Sequence, residues 1–208
     1  EDIDRNDIEI SDIKKEINYS KIKLEINNLI YNAYIQKSLE FCFKGDTQAF
    51  VFLEKAREYK NYSSDLFIVE SNLEFILNKD VDKSLELNRR CEREFRSEPT
   101  PDFNLIFLYL YKGDYTNSKK QLDKLLRRTN LSKCEMQASQ IYKFIEKFIN
   151  FKDKPVMFFW VGFNLYKITN NKPLAYKYFN DFLENFNEDK ELIDTTKKYL
   201  QEIKDVIN

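Results

Sequence analysis

Apolar residues in this chain recur at spacings of three and four, the period of a helix with one buried face. Breaks in that pattern are rare, because glycine and proline number only 3 and 4 among 208 residues. A β-sandwich or barrel needs a turn roughly every ten residues, so this pattern excludes both. The pattern predicts helices near residues 20–44, 47–60, 65–78, 81–96, 102–112, 115–128, 132–151, 155–168, 172–186 and 189–206. Two stretches, FNLIFLYLY (103–111) and VMFFWVGFNLY (156–166), are apolar almost all round. A helix of that kind must be buried on every face. The last helix is amphipathic with a strongly charged face and fits a solvating cap. Residues 1–20 are acidic, with Ile3, Ile8, Ile10, Ile13 and Ile17 spread through them. They read as a helix laid against the rest or as a partly disordered tail. The expected division is therefore an N-terminal segment, 1–20, and a single helical domain, 21–208.

The breaks themselves are periodic. Asp46, Asp80 and Asp114 stand 34 residues apart, the first and last preceded by Gly45 and Gly113. Four apolar columns keep the same step: Ile35, Val69, Phe103; Leu39, Leu73, Phe107; Phe41, Phe75, Tyr109; and Phe43, Leu77, Tyr111. After each turn a small residue recurs, as Ala49, Ser84 and Ser118, the first unit being one residue shorter there. A step of 34 is the length of one helix–turn–helix unit in a repeat array.

With these residues the chain resembles the tetratricopeptide repeat family, most closely over Leu105–Leu126, LIFLYLYKGDYTNSKKQLDKLL. The resemblance covers roughly residues 31–128 well and 155–188 more loosely, with Asn170-Asn171-Lys172-Pro173 as the last turn and Ala175 as its small residue. Residues 131–153 depart from the period and read as one long amphipathic helix. The resemblance implies an all-α, right-handed superhelical solenoid of antiparallel helix pairs with a C-terminal capping helix. It also implies a concave groove lined by Ile35, Leu39, Val69, Leu73, Phe103, Phe107, Met157, Trp160 and Asn164. Those positions are mostly apolar, which suits an apolar or amphipathic segment as ligand and not a carboxylate clamp. The alternatives are that the same residues are simply core, or that the N-terminal isoleucines cover the groove from within.

Composition narrows the chemistry. Charged residues balance to a net charge of -1, so general nucleic-acid binding is not expected. The absence of histidine removes Ser-His-Asp and Cys-His nucleophiles and histidine-ligated metals. Carboxylate neighbours such as Asp181 with Glu184, or Glu188 with Asp189, read as solvated charge, so no enzyme activity and no cofactor are expected. Cys42, Cys91 and Cys134 have neither metal nor disulfide spacing and read as small buried thiols. Arg89, Arg93 and Arg96 recur at helical spacing and offer a contact for an acidic partner, against the plainer reading of a solvated face.

These features lead to a protein- or peptide-binding adaptor or scaffold, with room for a homodimer through an end helix. The alternatives are the peptide-sensing half of a transcription regulator whose DNA-binding domain lies elsewhere, or a secretion or assembly chaperone. The longest apolar run, Val156 to Phe163, is too short to span a bilayer. A cytoplasmic location is expected, or an envelope-associated or exported one had a signal preceded Glu1.

Overall fold

The computed structural model describes residues 5–128 and 130–207, and the side chains of residues 16–127 and 130–205. Helices account for most of it, and no strand occurs among the described residues. The chain divides into two compact units, Glu1–Asn78 and Lys79–Asn208.

The first unit holds α1 (Arg5–Phe43), α2 (Gln48–Tyr59) and α3 (Ser64–Leu73), the last running into a π-helical turn at Glu74–Asn78. Each of the three helices packs on the other two. Small side chains permit the close approach, since Ala49 and Ala56 on α2 are fully buried. Ser38 of α1, also fully buried, donates from Oγ to the Ala49 carbonyl at 2.8 Å. Tyr31 Oη and Ser63 Oγ lie 2.6 Å apart, joining α1 to the residue that caps α3. The predicted boundary at residue 20 does not interrupt the backbone. α1 runs unbroken from Arg5, because no glycine or proline stands between Glu1 and Lys44.

The second unit holds α4 (Val81–Glu94), α5 (Thr100–Lys112), α6 (Tyr115–Arg128), α7 (Glu135–Phe148), α8 (Val156–Lys167), α9 (Lys172–Asn185) and α10 (Lys190–Ile207). Here α5 packs on α4, α6, α7 and α8, while α9 packs on α8 and α10. The two helices that are apolar all round therefore lie at the centre, as their composition requires. Every residue of α5 from Leu105 to Leu110 is buried, as is every residue of α8 from Phe159 to Asn164. Gly162 lets α8 approach α9: a Cβ placed there would meet Phe179 Cδ1 at 2.7 Å, and Phe179 is fully buried and has no free space to retreat into.

The turns at residues 45, 79 and 113 each pass through a left-handed residue. Gly45 and Gly113 adopt left-handed backbone angles, φ 76° and 78°, and so does Lys79 at φ 58°, midway between them. After Gly45, the amides of Gly45 and Asp46 donate back to Cys42 and Phe41. After Gly113, those of Gly113 and Asp114 donate to Leu110 and Tyr109. Asp80 and Asp114 cap the helices that follow, accepting the amides of Lys83 and Asn117 at 2.8 and 3.1 Å, while Asp46 accepts the amide of Gln48, two residues on, at 2.8 Å. Lys79 holds this conformation without glycine's freedom, at a cost of about 1 kcal/mol.

One predicted helix is broken. Residues 131–153 form a 3-10 turn at Leu131–Lys133 and then α7, not one continuous helix. The reason is local: the Asn130 side chain accepts both the amide and the hydroxyl of Ser132, at 3.1 and 2.8 Å, which fixes a tight turn before α7 can begin.

Candidate interaction surface

The residues expected to line a groove are core. In the first unit Ile35, Val69 and Leu73 are buried and Leu39 is half-buried. In the second unit Phe103, Phe107, Met157, Trp160 and Asn164 are all buried. Phe103 packs on Trp160 with ring centroids 5.8 Å apart, and Phe107 meets Phe144 edge-on at 5.4 Å. Asn164 turns inward and donates from Nδ2 to the Trp160 carbonyl at 2.7 Å. The physical reason is that α5 is surrounded by four helices, so the face expected to be concave surface meets α7 and α8 instead. A partner could reach these side chains only by opening the core.

The arginines do not share one helical face either. Arg89 and Arg93 belong to α4, but α4 ends at Glu94 and Arg96 lies in the loop beyond. Arg89 is engaged, donating from Nε to Tyr109 Oη at 3.0 Å with its guanidinium 5.4 Å from the ring centroid. Arg96 instead joins Lys133, Asn130, Cys134 and Gln137 in lining a cleft of about 440 Å³. Burial pushes the Cys134 thiol up, away from the reactive thiolate. Gln137 Oε1 is buried there without a hydrogen-bond partner among the described residues. No sequence signal pointed to this cleft, because its two walls come from segments more than thirty residues apart.

Other polar features are structural. Gln121 Nε2 donates to both Glu92 and the buried Asp102, holding α6 to α4 and α5. Tyr166 Oη donates to Glu202 Oε2 at 2.7 Å, and that bond, with Lys167 beside it, draws the carboxyl below its ordinary range. Asp189 caps α10 through the Leu192 amide, and Glu188 accepts from Tyr115. Cys42, Cys91 and Cys134 are all buried, as small thiols in a helical core are expected to be.

Exposed large apolar residues are most concentrated on α1 among the described side chains. Upstream of Tyr31 this helix carries Ile17, Tyr19, Ile22, Leu24, Ile26 and Leu29, all exposed; Leu24 is 61% and Leu29 68% accessible. At 100° per residue these fall on two opposite faces. Ile17, Ser20 and Leu24 form one, and Tyr19, Ile22, Ile26 and Leu29 the other. In the sequence, the N-terminal isoleucines read as a helix laid against the array, a partly disordered tail, or a cover for the groove. Ile17 is exposed, and Ile3, Ile8, Ile10 and Ile13 fall outside the residues whose side chains are described. Scattered exposed apolar residues are ordinary, but this many on adjacent turns of one helix mark an interaction site.

No described helix is long and apolar enough to cross a membrane. No family model, curated protein or solved structure matches the chain.

Proposed function

We propose that this protein is an interaction module, an adaptor or scaffold built on tetratricopeptide-like helix pairs, which acts by binding another protein or peptide and not by catalysis. The observation that carries the reading is the upstream half of α1, apolar on two opposite faces that its own fold leaves uncovered. A helix with two apolar faces is stable in water only as part of a larger packed assembly. The repeat character is supported by the left-handed residue at 45, 79 and 113 and by the aspartate that follows each and accepts an amide two or three residues on. A binding role is further supported by a composition with no histidine and a net charge of -1, which favours neither nucleophilic catalysis nor phosphate binding.

The partner segment is apolar or amphipathic, and its seat is the face bearing Tyr19, Ile22, Ile26 and Leu29. Side chains one turn apart along that face offer the i, i+3, i+4, i+7 anchors that receive an amphipathic helix. The test is capture from the native host's lysate with the parent chain, an Ile22→Ser, Ile26→Ser, Leu29→Ser variant and an Arg93→Glu control. The reading predicts a protein retained by parent and control and lost by the triple variant. Equal retention by all three would contradict this seat, and retention of nothing by the parent would contradict the module.

A further inference from the structure

The other face of α1 has a different occupant. Downstream, α1 buries Tyr31, Ile35, Ser38 and Cys42, in steps of four, three and four. The same stripe continues upstream through Asn27, Leu24, Ser20 and Ile17, again in alternating steps of three and four. Where the downstream part is buried, the upstream part stays open, with Ile17, Ser20 and Leu24 exposed and Asn27 half-buried. Glu16, Ile17, Ser20, Lys21 and Leu24 together line one open surface, which places them on a single side of the helix. In the sequence, sevenfold spacing joins Ile3, Ile10, Ile17, Leu24 and Tyr31, with Ile13 three residues after Ile10. A repeat of seven is the signature of a helix that winds about another helix.

The charges beside the stripe say which helix. Glu16 immediately precedes Ile17, and Lys21 immediately follows Ser20. These are the flanking positions that meet across a two-stranded coiled coil. If the partner is the same helix running parallel, each Glu16 faces the other copy's Lys21, so two opposite-charge pairs form by symmetry. Glu9 and Lys14 repeat the same relation one heptad earlier in the sequence. An antiparallel arrangement in the same register sets glutamate against glutamate and lysine against lysine. The geometry points to a parallel coiled coil between two copies of this chain, formed by α1 upstream of Tyr31 through Ile17, Ser20, Leu24 and Asn27. The inference rests on the reading of α1 as an interaction surface and names the occupant of one of its faces. Polar Ser20 and Asn27 inside the seam weaken the pairing but fix its register, as buried polar seam residues do. The dimer is therefore reversible and concentration-dependent. The seam ends at Tyr31, where the stripe turns to the chain's own α2 and α3.

The experiment is sedimentation equilibrium of the full chain across the micromolar range, with circular dichroism confirming the helix content of each variant. The parent is expected to show a monomer–dimer equilibrium. Ile17→Ser with Leu24→Ser should remove it, while Ile22→Ser with Leu29→Ser leaves it intact. Glu16→Lys alone and Lys21→Glu alone should each weaken the dimer about tenfold, since each creates two like-charge contacts. The double exchange should restore it. A parent that stays monomeric at the highest concentration overturns the inference. So does a dimer broken by the Ile22 and Leu29 substitutions instead, or single charge exchanges that the double exchange fails to rescue. A parent that dimerises yet captures no other protein upholds this inference while defeating the partner proposed for the opposite face.

Discussion

The two halves of α1 are built from similar residues and meet opposite fates. From Tyr31 to Phe43 the helix packs into a unit, with Tyr31, Ile35, Ser38 and Cys42 buried and Tyr34 and Phe41 stacked on Phe52 of α2. From Glu16 to Ile30 no side chain is buried, although four isoleucines and two leucines lie there. Intrinsic preference does not separate the halves, since both form one unbroken helix. Neighbours separate them: with α2 and α3 packed on α1, only the downstream half has buried side chains among those described. An apolar residue thus reports what must be buried, and the chain's own topology decides which of them it can bury itself.

The sharpest way to break this comparison is to delete matched apolar volume from each half. Ile35→Ala should cost about 3 kcal/mol in chemical denaturation, because a fully packed site cannot collapse around the missing methyls. Leu24→Ala in dilute protein should stay within about 0.5 kcal/mol of the parent, as expected of an exposed site. Equal costs would mean that the upstream half is packed within its own chain.

Much of this was legible in the sequence, and the boundary of legibility is physical. The ten α-helices among the described residues each overlap one that the three-and-four spacing predicts, and two turns follow from Gly45, Gly113 and their aspartates. Even Lys79, which lacks glycine's freedom, was marked by its place at the 34-residue step. The groove was misread because an apolar column is the same signal whether it faces a ligand or a neighbouring helix. Only the packing of α5 among four helices decides that Phe103 and Phe107 are core. The start of α1 was misplaced because acidic residues among the early isoleucines resemble a tail. The cleft around Arg96 and Lys133 was invisible, since nothing local relates its two walls.

A second test targets the bond that anchors the buried half. Tyr31→Phe removes the phenol from Ser63 and should cost about 1 kcal/mol. Burial pushes the Tyr31 phenol up to about 12, from an unfolded value near 10. The fold therefore favours its neutral form: that stabilisation is complete below about pH 10 and is lost as pH rises toward about 12. Thermal melts across this range should show the parent losing more stability than Tyr31→Phe. A parallel decline in both would assign the alkaline sensitivity to other tyrosines, such as Tyr199, whose phenol burial also raises.

The smallest effect lies at the edge of the packed half. Arg57 Nη2 reaches Glu70 at 2.5 Å, but both side chains stay partly open to water, at 32% and 25%. Glu70→Gln should therefore cost under about 1 kcal/mol, and less still in high salt. A larger loss would mean that α2 and α3 are joined more by charge than by packing.

The central claim is that the upstream half of α1 is completed by another chain. Amide hydrogen exchange on the intact protein, followed at low and high concentration, tests it most directly. The account predicts that protection over residues 16–30 rises with protein concentration, while protection over residues 31–43 is high and unchanged. Strong protection of residues 16–30 at every dilution would contradict it, because their cover would then come from their own chain.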